Sequence, residues 1–154
     1  MKSKARAVVI GGGVVGVSTL YHLAAKGWDD SILLERKSLT SGSTWHAAGL
    51  LPLFNMSYSV GQIHKYSVRF YQELQDETGM DVGFRKVSNI RLASTQDRMD
   101  EYLQYKGVAD TIGVEVNVLS PQEIKDCWPL VSTENLIGAI QHPEDGYIQP
   151  ADLT

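Results

Sequence analysis

The residues GGGVVG at positions 11–16 have the types and spacing of a turn that binds phosphate. The three fixed glycine places of the G-x-G-x-x-G pattern are taken by Gly11, Gly13 and Gly16. In this pattern the first glycine permits a tight turn, the second lets the backbone approach a pyrophosphate, and the third lets a helix pack closely on a strand. A helix that starts at Val14 and Val15 points its N–H groups and its positive dipole end at the phosphates. The pattern therefore predicts a dinucleotide site at a helix N-terminus.

An acidic residue, Glu35, follows the glycine turn at about the separation expected for a group that binds the adenosine ribose. It comes directly after Ser31–Leu34, an apolar run typical of a buried strand. A carboxylate at this place accepts hydrogen bonds from ribose hydroxyls and repels a 2′-phosphate, so the site favours a free 2′-hydroxyl. The alternative interpretation is a solvated surface glutamate beside an unrelated glycine turn. Neither the turn nor the acid distinguishes FAD from NAD.

The stretch from Thr40 to Gly49 is the second candidate for ligand binding. It consists of small, hydroxyl-bearing and glycine residues around Trp45 and His46. Its hydroxyls and exposed N–H groups are suited to a second phosphate or to the ribityl chain of a flavin. By residue type alone, Trp45 is more often a core aromatic residue, and His46 is more often a hydrogen-bonded loop histidine. Both interpretations are open at this point.

The elements around the glycine turn form one βαβ unit. Ala5–Ile10 is a short run rich in Val and Ile, which predicts a strand buried on both faces. From Val14 the apolar residues recur at helical spacing, and Gly27 stands where a helix takes its left-handed terminating residue. With the strand Ser31–Leu34, this order is that of a Rossmann-like dinucleotide-binding unit in an α/β fold.

The chain beyond about residue 55 mixes strands and helices in a different order. Its periodicity predicts helices over Val60–Glu77 and Thr95–Ile112, a short helix opened by Ser120 and Pro121, and strands over Val87–Ala93, Val114–Leu119 and Leu136–Gln141. We therefore predict a nucleotide-binding part over residues 1–55 and the start of an α+β substrate domain over residues 56–154. The last residues, from Pro150, have the pattern of a helix that is beginning, so we expect an incomplete fold.

Composition and charge argue against several classes of function. The 154 residues carry a formal net charge of −4 and are 43% hydrophobic, as expected for a folded globular protein. The acidic balance argues against nucleic acid or an anionic membrane as a partner, and no apolar stretch is long enough to span a bilayer. Cys127 is the only cysteine, which excludes a disulfide within the chain and favours a reducing compartment such as the cytoplasm. We expect no metal site, and we interpret His142 as a loop histidine.

Taken together, the motifs resemble those of the FAD-dependent dimethylglycine and sarcosine dehydrogenases, within the wider group of glycine oxidases and D-amino-acid oxidases. The resemblance extends over essentially the whole chain. It is carried by GGGVVG, LLERK at 33–37, LTSGSTWHAAGL at 39–50, QIHKYSVRFYQELQDETG at 62–79, NIRLAS at 89–94 and DGYIQPADLT at 145–154. The most specific of these motifs is STWHAAG.

The resemblance implies FAD as the cofactor, attached covalently through His46 to the 8α-methyl group of the flavin. It implies that the cofactor-binding residues are Gly11, Gly13, Val14, Val15, Gly16, Glu35, Arg36, Ser41, Gly42, Ser43, Thr44, Trp45, His46, Ala48, Gly49 and Leu50. The implied reaction is hydride transfer from an N-methyl carbon of a small amino acid to the flavin, followed by hydrolysis to formaldehyde and the demethylated amine. The implied partners are the amine substrate and an electron acceptor, either an electron-transfer flavoprotein or oxygen. The implied compartment is the cytoplasm, or the mitochondrial matrix in a eukaryote.

Two features depart from the family. Family members commonly have DGHIDP where this chain has Tyr147 and Gln149 in DGYIQP, so which demethylation the chain performs, if any, is open. They also continue with the rest of the substrate domain and then complete the flavin domain, so we expect this chain to be a fragment or a truncated product. The alternative is therefore a non-catalytic relic or a regulatory module of the same family. A nicotinamide dehydrogenase shares the glycine turn but does not explain STWHAAG.

Overall fold

The computed structural model describes residues 4–154. Its elements in chain order are β1 (Ala7–Ile10), α1 (Val14–Ala25), β2 (Ser31–Leu34), a 3₁₀ helix (Thr44–His46), β3 (Leu50–Leu51), α2 (Tyr58–Thr78), β4 (Arg85–Lys86), β5 (Asn89–Ala93), α3 (Gln96–Ile112), β6 (Asn117–Leu119), α4 (Pro121–Cys127), β7 (Gly138–His142), β8 (Gly146–Tyr147) and α5 (Pro150–Leu153). The chain divides into two compact units. The first comprises the residues up to Gly49 with 81–83 and 148–154, and the second comprises Leu50–Met80 and Phe84–Tyr147.

The first unit is built on the βαβ arrangement predicted from the glycine turn. β1 and β2 are parallel, in a register that runs from the Ala7–Ser31 pair to the Ile10–Leu34 pair. The helix α1 lies between them in sequence and is followed by Gly27, whose φ of 76° is the left-handed value expected of a terminating glycine. The α/β fold class and its Rossmann-like unit are therefore confirmed.

The prediction that β1 is buried on both faces is wrong. Val8 and Ile10 are 50% and 85% exposed, and Leu34 on β2 is also largely exposed. The other face carries Val9, which points towards the first turn of α1 at Gly16. Within the described residues, this two-stranded sheet is covered by a helix on one face only. The prediction failed because a run of Val and Ile does not show whether one or both faces of a strand are covered.

The second unit contains two antiparallel three-stranded sheets. One has the strand order β3-β8-β4 and the other has the order β5-β7-β6. In the first sheet, Tyr147 of β8 lies opposite Leu50 on one side and Arg85 on the other. In the second sheet, the central strand β7 pairs with β5 over its full length. The predicted change from parallel α/β to mixed strands and helices is thus present in the structure.

The predicted strands of the second unit are present with shifted starting points. β6 begins at Asn117, where its pairing with β7 begins, and not at Val114. β5 begins two residues later than predicted because the N–H groups of Val87 and Ser88 donate to the carbonyl oxygen of Asp145. Both shifts arise from long-range hydrogen bonds, which the local pattern of apolar residues does not encode.

Three helix ends carry the signals that predicted them. α2 ends before Gly79, which has a φ of 66°. Thr95 caps α3 by accepting the N–H of Arg98. Ser120 and Glu123 form a reciprocal capping box at the start of α4. The helices of the second unit therefore begin and end close to their predicted positions.

The core of the second unit lies around α2, α3 and one face of the β5-β7-β6 sheet. Its buried apolar residues are Leu53, Val68, Ala93, Met99, Tyr102, Tyr105, Ala109, Ile112, Val114, Val116 and Ile140. Gly61 lets α2 approach α3 closely, since a Cβ atom on Gly61 would collide with the Ile112 side chain. A smaller cluster, which includes Ala139 on the opposite face of the sheet, packs around Ile124 of α4.

The interpretation of His142 as a loop histidine is wrong. It is the last residue of β7 and is fully buried, with Nε2 at 3.0 Å from the Tyr105 hydroxyl. Burial lowers the pKa of His142 to about 4, and the positive charge of Arg91 acts in the same direction. Asp145, three residues later, is also buried, and burial raises the pKa of its carboxyl group to about 6.

These two groups are expected to give opposite pH dependences of stability. The unfolded histidine is protonated below pH 6.5 and the folded one only below about 4, so the contribution of His142 is lost as the pH falls through this window. The folded Asp145 is protonated below about 6 and the unfolded one below 3.8, so its contribution is lost as the pH rises through that window. In Asp145→Asn only the titration of His142 remains. The free energy of unfolding of this variant is therefore expected to fall by about 1–3 kcal/mol between pH 6.5 and 4.5.

Urea unfolding at several pH values measures this effect. His142→Gln is the reciprocal variant, because its amide N–H can still donate to Tyr105 while the titratable ring is gone. Its free energy of unfolding is expected to rise as the pH falls over the same range. Slopes of the same sign in the two variants would contradict the opposed titrations.

Candidate cofactor site

The glycine turn runs from the end of β1 to the start of α1. Gly11 has a φ of 112°, a value that favours glycine. Its N–H donates to the carbonyl oxygen of Leu34 at 2.8 Å, which links the turn to the end of β2. Gly16 lies in the first turn of α1, where a Cβ atom would collide with the Gly11 carbonyl oxygen. The backbone geometry therefore accounts for the first and third glycines of the pattern.

The N-terminus of α1 is formed by Gly13, Val14 and Val15. Gly13 is extended at the N-cap position and has no side chain with which to cap the helix. The N–H of Val14 donates instead to the hydroxyl oxygen of Thr44, at 2.9 Å. A Cβ atom on Gly13 would lie 2.9 Å from the same oxygen. Thr44, which is only 8% exposed, therefore packs against the turn and caps the helix from a distant position in the sequence.

Glu35 directly follows β2, and its carboxylate is held by two backbone N–H groups. Gly12 donates to one oxygen at 2.7 Å, and Lys37 donates to the other at 2.8 Å. The hydrogen bond from Gly12 is the main cause of a lowered pKa for Glu35, so the group is anionic at neutral pH. The adjacent Arg36 is exposed. The turn thus has a fixed negative charge beside it.

The loop between β2 and the 3₁₀ helix folds back onto the glycine turn. The N–H of Thr40 donates to the carbonyl oxygen of Gly12 at 2.9 Å, and Thr40 has a positive φ of 65°. The carbonyl oxygen of Thr40 in turn accepts the N–H of Trp45 at 3.3 Å. The predicted residues Ser41, Gly42 and Ser43 form an exposed turn between these two points.

The 3₁₀ helix presents its side chains to different surroundings. Thr44 is buried against α1, Trp45 is 62% exposed and His46 is exposed. The Trp45 and His46 rings are neighbours, with centroids 4.8 Å apart and planes inclined by 48°. Helix α5 packs against the 3₁₀ helix within the same unit. The His46 imidazole is therefore accessible and is flanked by one aromatic ring.

The end of the candidate stretch is formed by Ala48, Gly49 and Leu50. Ala48 is exposed, and Gly49 has a φ of 72° at a place where a Cβ atom would collide with the Ile148 carbonyl oxygen. Leu50 is the first residue of β3 and belongs to the second unit. The structure therefore gathers the predicted residues from Gly11 to Gly49 in one unit and places Leu50 in the other.

Two residues at this site, Gly12 and Thr40, have contacts that the sequence patterns do not predict. Gly12 is buried, and a Cβ atom on it would lie 2.6 Å from Leu39 Cδ2 and 3.0 Å from Glu35 Cβ. The G-x-G-x-x-G pattern allows any residue at position 12, so the extra glycine there is the sequence signal for this close contact. Thr40 contributes both of its backbone groups, but a positive φ at a threonine is too uncommon to be read from a sequence.

Thr44→Val is expected to lower the stability of the protein without flavin by about 1–2 kcal/mol, because the Val14 N–H loses its acceptor at a poorly solvated position. Thr44→Ser keeps the oxygen and is the matched control, with a smaller loss from the missing methyl group. Thermal unfolding of the two variants against the unmodified protein measures the difference. Equal stability of the valine and serine variants would contradict a capping role.

The family model described as FAD dependent oxidoreductase, abbreviated DAO, matches residues 6–154. The chain belongs to this family. Mitochondrial dimethylglycine dehydrogenase of Rattus norvegicus is 41% identical over 153 residues, which are 99% of this chain and 18% of that protein. Mitochondrial sarcosine dehydrogenase of Homo sapiens is 41% identical over 152 residues, which are 98% of this chain and 17% of that protein. The chain thus spans less than a fifth of the length of these relatives.

A solved structure gives the same result for the fold. L-proline dehydrogenase from P. horikoshii matches 99% of this chain and 40% of its own chain, with a TM-score of 0.89 and 25% sequence identity. The fold of this chain is therefore part of the fold of the FAD-dependent oxidoreductases.

The residues at the glycine turn fit the diphosphate and adenosine parts of FAD. Because Gly13 has no Cβ atom, the Thr44 hydroxyl can approach the N-terminus of α1, where a diphosphate would bind. The anionic Glu35 stands beside the same turn, as a ribose-binding acid requires. Among residues 4–154, no group of His, Cys, Asp and Glu is arranged to hold a metal ion. In that same range no helix is both long and apolar enough to cross a membrane.

Proposed function

We propose that this chain is part of an enzyme that oxidises the N-methyl C–N bond of a small amino acid resembling dimethylglycine or sarcosine, with FAD as the cofactor. The observation that carries the proposal is the exposed His46, held on a 3₁₀ helix whose Thr44 caps α1 at the glycine turn. This places an accessible imidazole in the same compact unit as the candidate diphosphate site. The similarity to the two dehydrogenases described above supports the same substrate class.

The N-terminus of α1 is proposed to bind the diphosphate of FAD. The first N–H groups of a helix have no acceptors within the helix, and the helix dipole favours an anion there. Thr44 accepts the N–H of Val14, and a hydroxyl that accepts one hydrogen bond keeps its own proton for donation. Thr44 is therefore suited to donate that proton to a phosphate oxygen.

Glu35 is proposed to bind the ribose hydroxyls of the adenosine. Its two oxygens together have about four acceptor positions, of which Gly12 and Lys37 occupy two. The remaining positions are available to a ribose, and the two backbone hydrogen bonds fix the direction of the carboxylate. A free 2′-hydroxyl suits this acceptor, whereas a 2′-phosphate would be repelled.

His46 is proposed as the residue joined covalently to the flavin. A neutral imidazole has one nitrogen with a free lone pair, which is a nucleophile, and the exposure of His46 gives that nitrogen access to a cofactor. The neighbouring Trp45 ring restricts the rotation of the imidazole on one side. When bound, FAD accepts the hydride removed from the N-methyl carbon of the substrate. The oxidised substrate then reacts with water to give formaldehyde and the demethylated amine.

The remaining assignments extend this proposal. Residues 1–55 are assigned to the FAD-binding domain and residues 56–154 to the beginning of a substrate-binding domain, although 81–83 and 148–154 cluster with the first unit. The electron acceptor is proposed to be an electron-transfer flavoprotein or oxygen. The proposed compartment is the cytoplasm, or the mitochondrial matrix in a eukaryote. The second option is supported by the two named dehydrogenases, which are mitochondrial.

The test uses the full-length protein that contains this chain, denatured and separated by electrophoresis. We expect a band that fluoresces in acid and an intact mass increased by one FAD. Dimethylglycine and sarcosine are then supplied with an artificial electron acceptor, and glycine, which has no N-methyl group, serves as the control. Formaldehyde from the first two and none from glycine is the expected result.

Two other results would count against the proposal. A colourless protein with the mass of the polypeptide alone would favour a non-catalytic module of the same family. Ammonia released from glycine without formaldehyde from sarcosine would assign deamination in place of demethylation.

A further inference from the structure

The peptide groups on either side of Leu53 are held by two buried side chains. The N–H of Leu53 donates to Asp145 Oδ1 at 2.8 Å. The carbonyl oxygen of Leu53 accepts the hydroxyl proton of Tyr105 at 3.1 Å. All three residues are buried. Leu53 is therefore fixed at both of its backbone polar groups by residues that lie far from it in the sequence.

The Tyr105 side chain is itself held in one orientation. Because the Tyr105 hydroxyl donates its hydrogen bond to Leu53, its oxygen accepts a hydrogen bond from His142 Nε2 at 3.0 Å. Phe54 packs against Tyr105, with ring centroids 4.2 Å apart. The Arg91 guanidinium in turn lies over the Phe54 ring, 4.2 Å from its centroid. The tyrosine that holds the Leu53 carbonyl is thus braced by a histidine, a phenylalanine and an arginine.

The strand that follows Asp145 pairs with the strand that precedes Leu53. In β3 and β8, Leu51 lies opposite Gly146 and Leu50 lies opposite Tyr147. A Cβ atom on Gly146 would collide with the Arg85 carbonyl oxygen, so β8 is tightly packed against β4 on its other side. The short β3 strand is therefore aligned by its partner strand and by the hydrogen bond from Leu53 to Asp145.

We infer that Asp145 is a positioning residue that sets the place of β3 within the second unit, and through it the place of Leu50, one of the residues predicted to bind the cofactor. Two residue pairs are a weak ladder, since each net hydrogen bond contributes little to stability. A buried carboxylate that accepts a backbone N–H forms a stronger, charge-assisted bond. Its relevance to the flavin depends on the proposed function, whereas its effect on β3 does not.

The first readout is amide hydrogen exchange of the protein without flavin, which follows β3 directly. Asp145→Ala is expected to increase exchange at Leu50–Leu53 by about tenfold or more, the change that loss of a charge-assisted bond produces. Asp145→Asn keeps an oxygen acceptor but loses the charge, so its exchange is expected to lie between those of the unmodified protein and Asp145→Ala. Tyr105→Phe removes the hydroxyl and keeps the ring, so it is a milder second variant should the alanine protein fail to fold.

The matched control is Glu123→Ala. The Glu123 carboxylate also accepts a backbone N–H, that of Ser120 at 2.7 Å, in the capping box of α4. Loss of this bond is expected to increase exchange at the start of α4 and to leave Leu50–Leu53 unchanged. Exchange at Leu50–Leu53 that rises equally in the control and in Asp145→Ala would overturn the inference. Exchange in Asp145→Asn as fast as in Asp145→Ala would also overturn it.

The second readout is the rate at which the full-length protein, prepared without flavin, acquires covalent FAD. Asp145→Ala is expected to slow this rate severalfold, and Asp145→Asn is expected to slow it less. If exchange at β3 rises and the rate does not change, a role for Leu50 in cofactor binding is overturned. If the unmodified protein acquires no flavin, the proposed function fails, and hydrogen exchange alone decides whether Asp145 sets the place of β3.

Discussion

Replacement of His46 by alanine is expected to yield a protein with no covalently attached flavin. The exposed imidazole is the proposed nucleophile, and alanine has no atom that can form the bond. The glycine turn, Glu35 and Thr44 are untouched by the change, so reversible binding of FAD is expected to remain with weaker affinity. The loss of the fluorescent band should be complete, which makes this the largest single effect predicted for a surface residue.

The measurement is electrophoresis under denaturing conditions, with fluorescence in acid and intact mass as paired readouts. His22→Ala is the matched control, because His22 lies in the same unit on α1 and its ring bonds to the carbonyl oxygen of Ser18. The control should keep a band as strong as that of the unmodified protein. A fluorescent band that persists in His46→Ala would assign the link to another residue.

Gly16→Ala is expected to disrupt the first unit and its affinity for FAD together. A Cβ atom at this position would overlap the carbonyl oxygen of Gly11, which is backbone and cannot rotate away as a side chain can. Either α1 moves away from β1 or the turn opens, and overpacking of this kind costs about 1–3 kcal/mol. Because the diphosphate is proposed to bind at the same turn, we expect reversible FAD binding to fall below detection.

Gly107→Ala is the control for this prediction. Gly107 lies on the exposed side of α3 in the second unit, and a Cβ atom on it meets nothing within 4 Å. Urea unfolding and titration with FAD should show a large loss of stability and of FAD affinity for Gly16→Ala and no such loss for Gly107→Ala. If both variants bound FAD as the unmodified protein does, the turn would not be the diphosphate site.

Much of the fold can be predicted from the sequence where its determinants are local. The glycine spacing, the run Ser31–Leu34 and the capping box at Ser120 each act over a few residues, and each gives an element close to its predicted position. The two-residue strands β3, β4 and β8 are not predicted because two residues show no period. They exist through pairing with partners that lie far away along the chain.

The candidate site follows the same division. The N-terminus of α1 and the place of Glu35 follow from patterns within a single βαβ unit. The cap that Thr44 gives to Val14 joins residues separated by 30 positions, and no local rule connects them. The buried state of His142 and Asp145 is also not predicted, because a sequence motif with His, Pro, Asp and Gly is typical of an exposed turn.

The pairing of β3 with β8 also has a consequence for the order in which the protein folds during synthesis. The hydrogen bond from Leu53 cannot form until Asp145, which is 92 residues further along the chain, has been synthesised. At translation rates of roughly 5–20 residues per second, that interval lasts several seconds or more. Throughout it Leu50 and Leu51 are an unpaired strand next to the exposed Trp45 and His46 on a nascent chain. Slow steps of this kind are where chaperones bind, so variants that weaken β3 are expected to lower the yield of soluble protein before they affect the finished molecule.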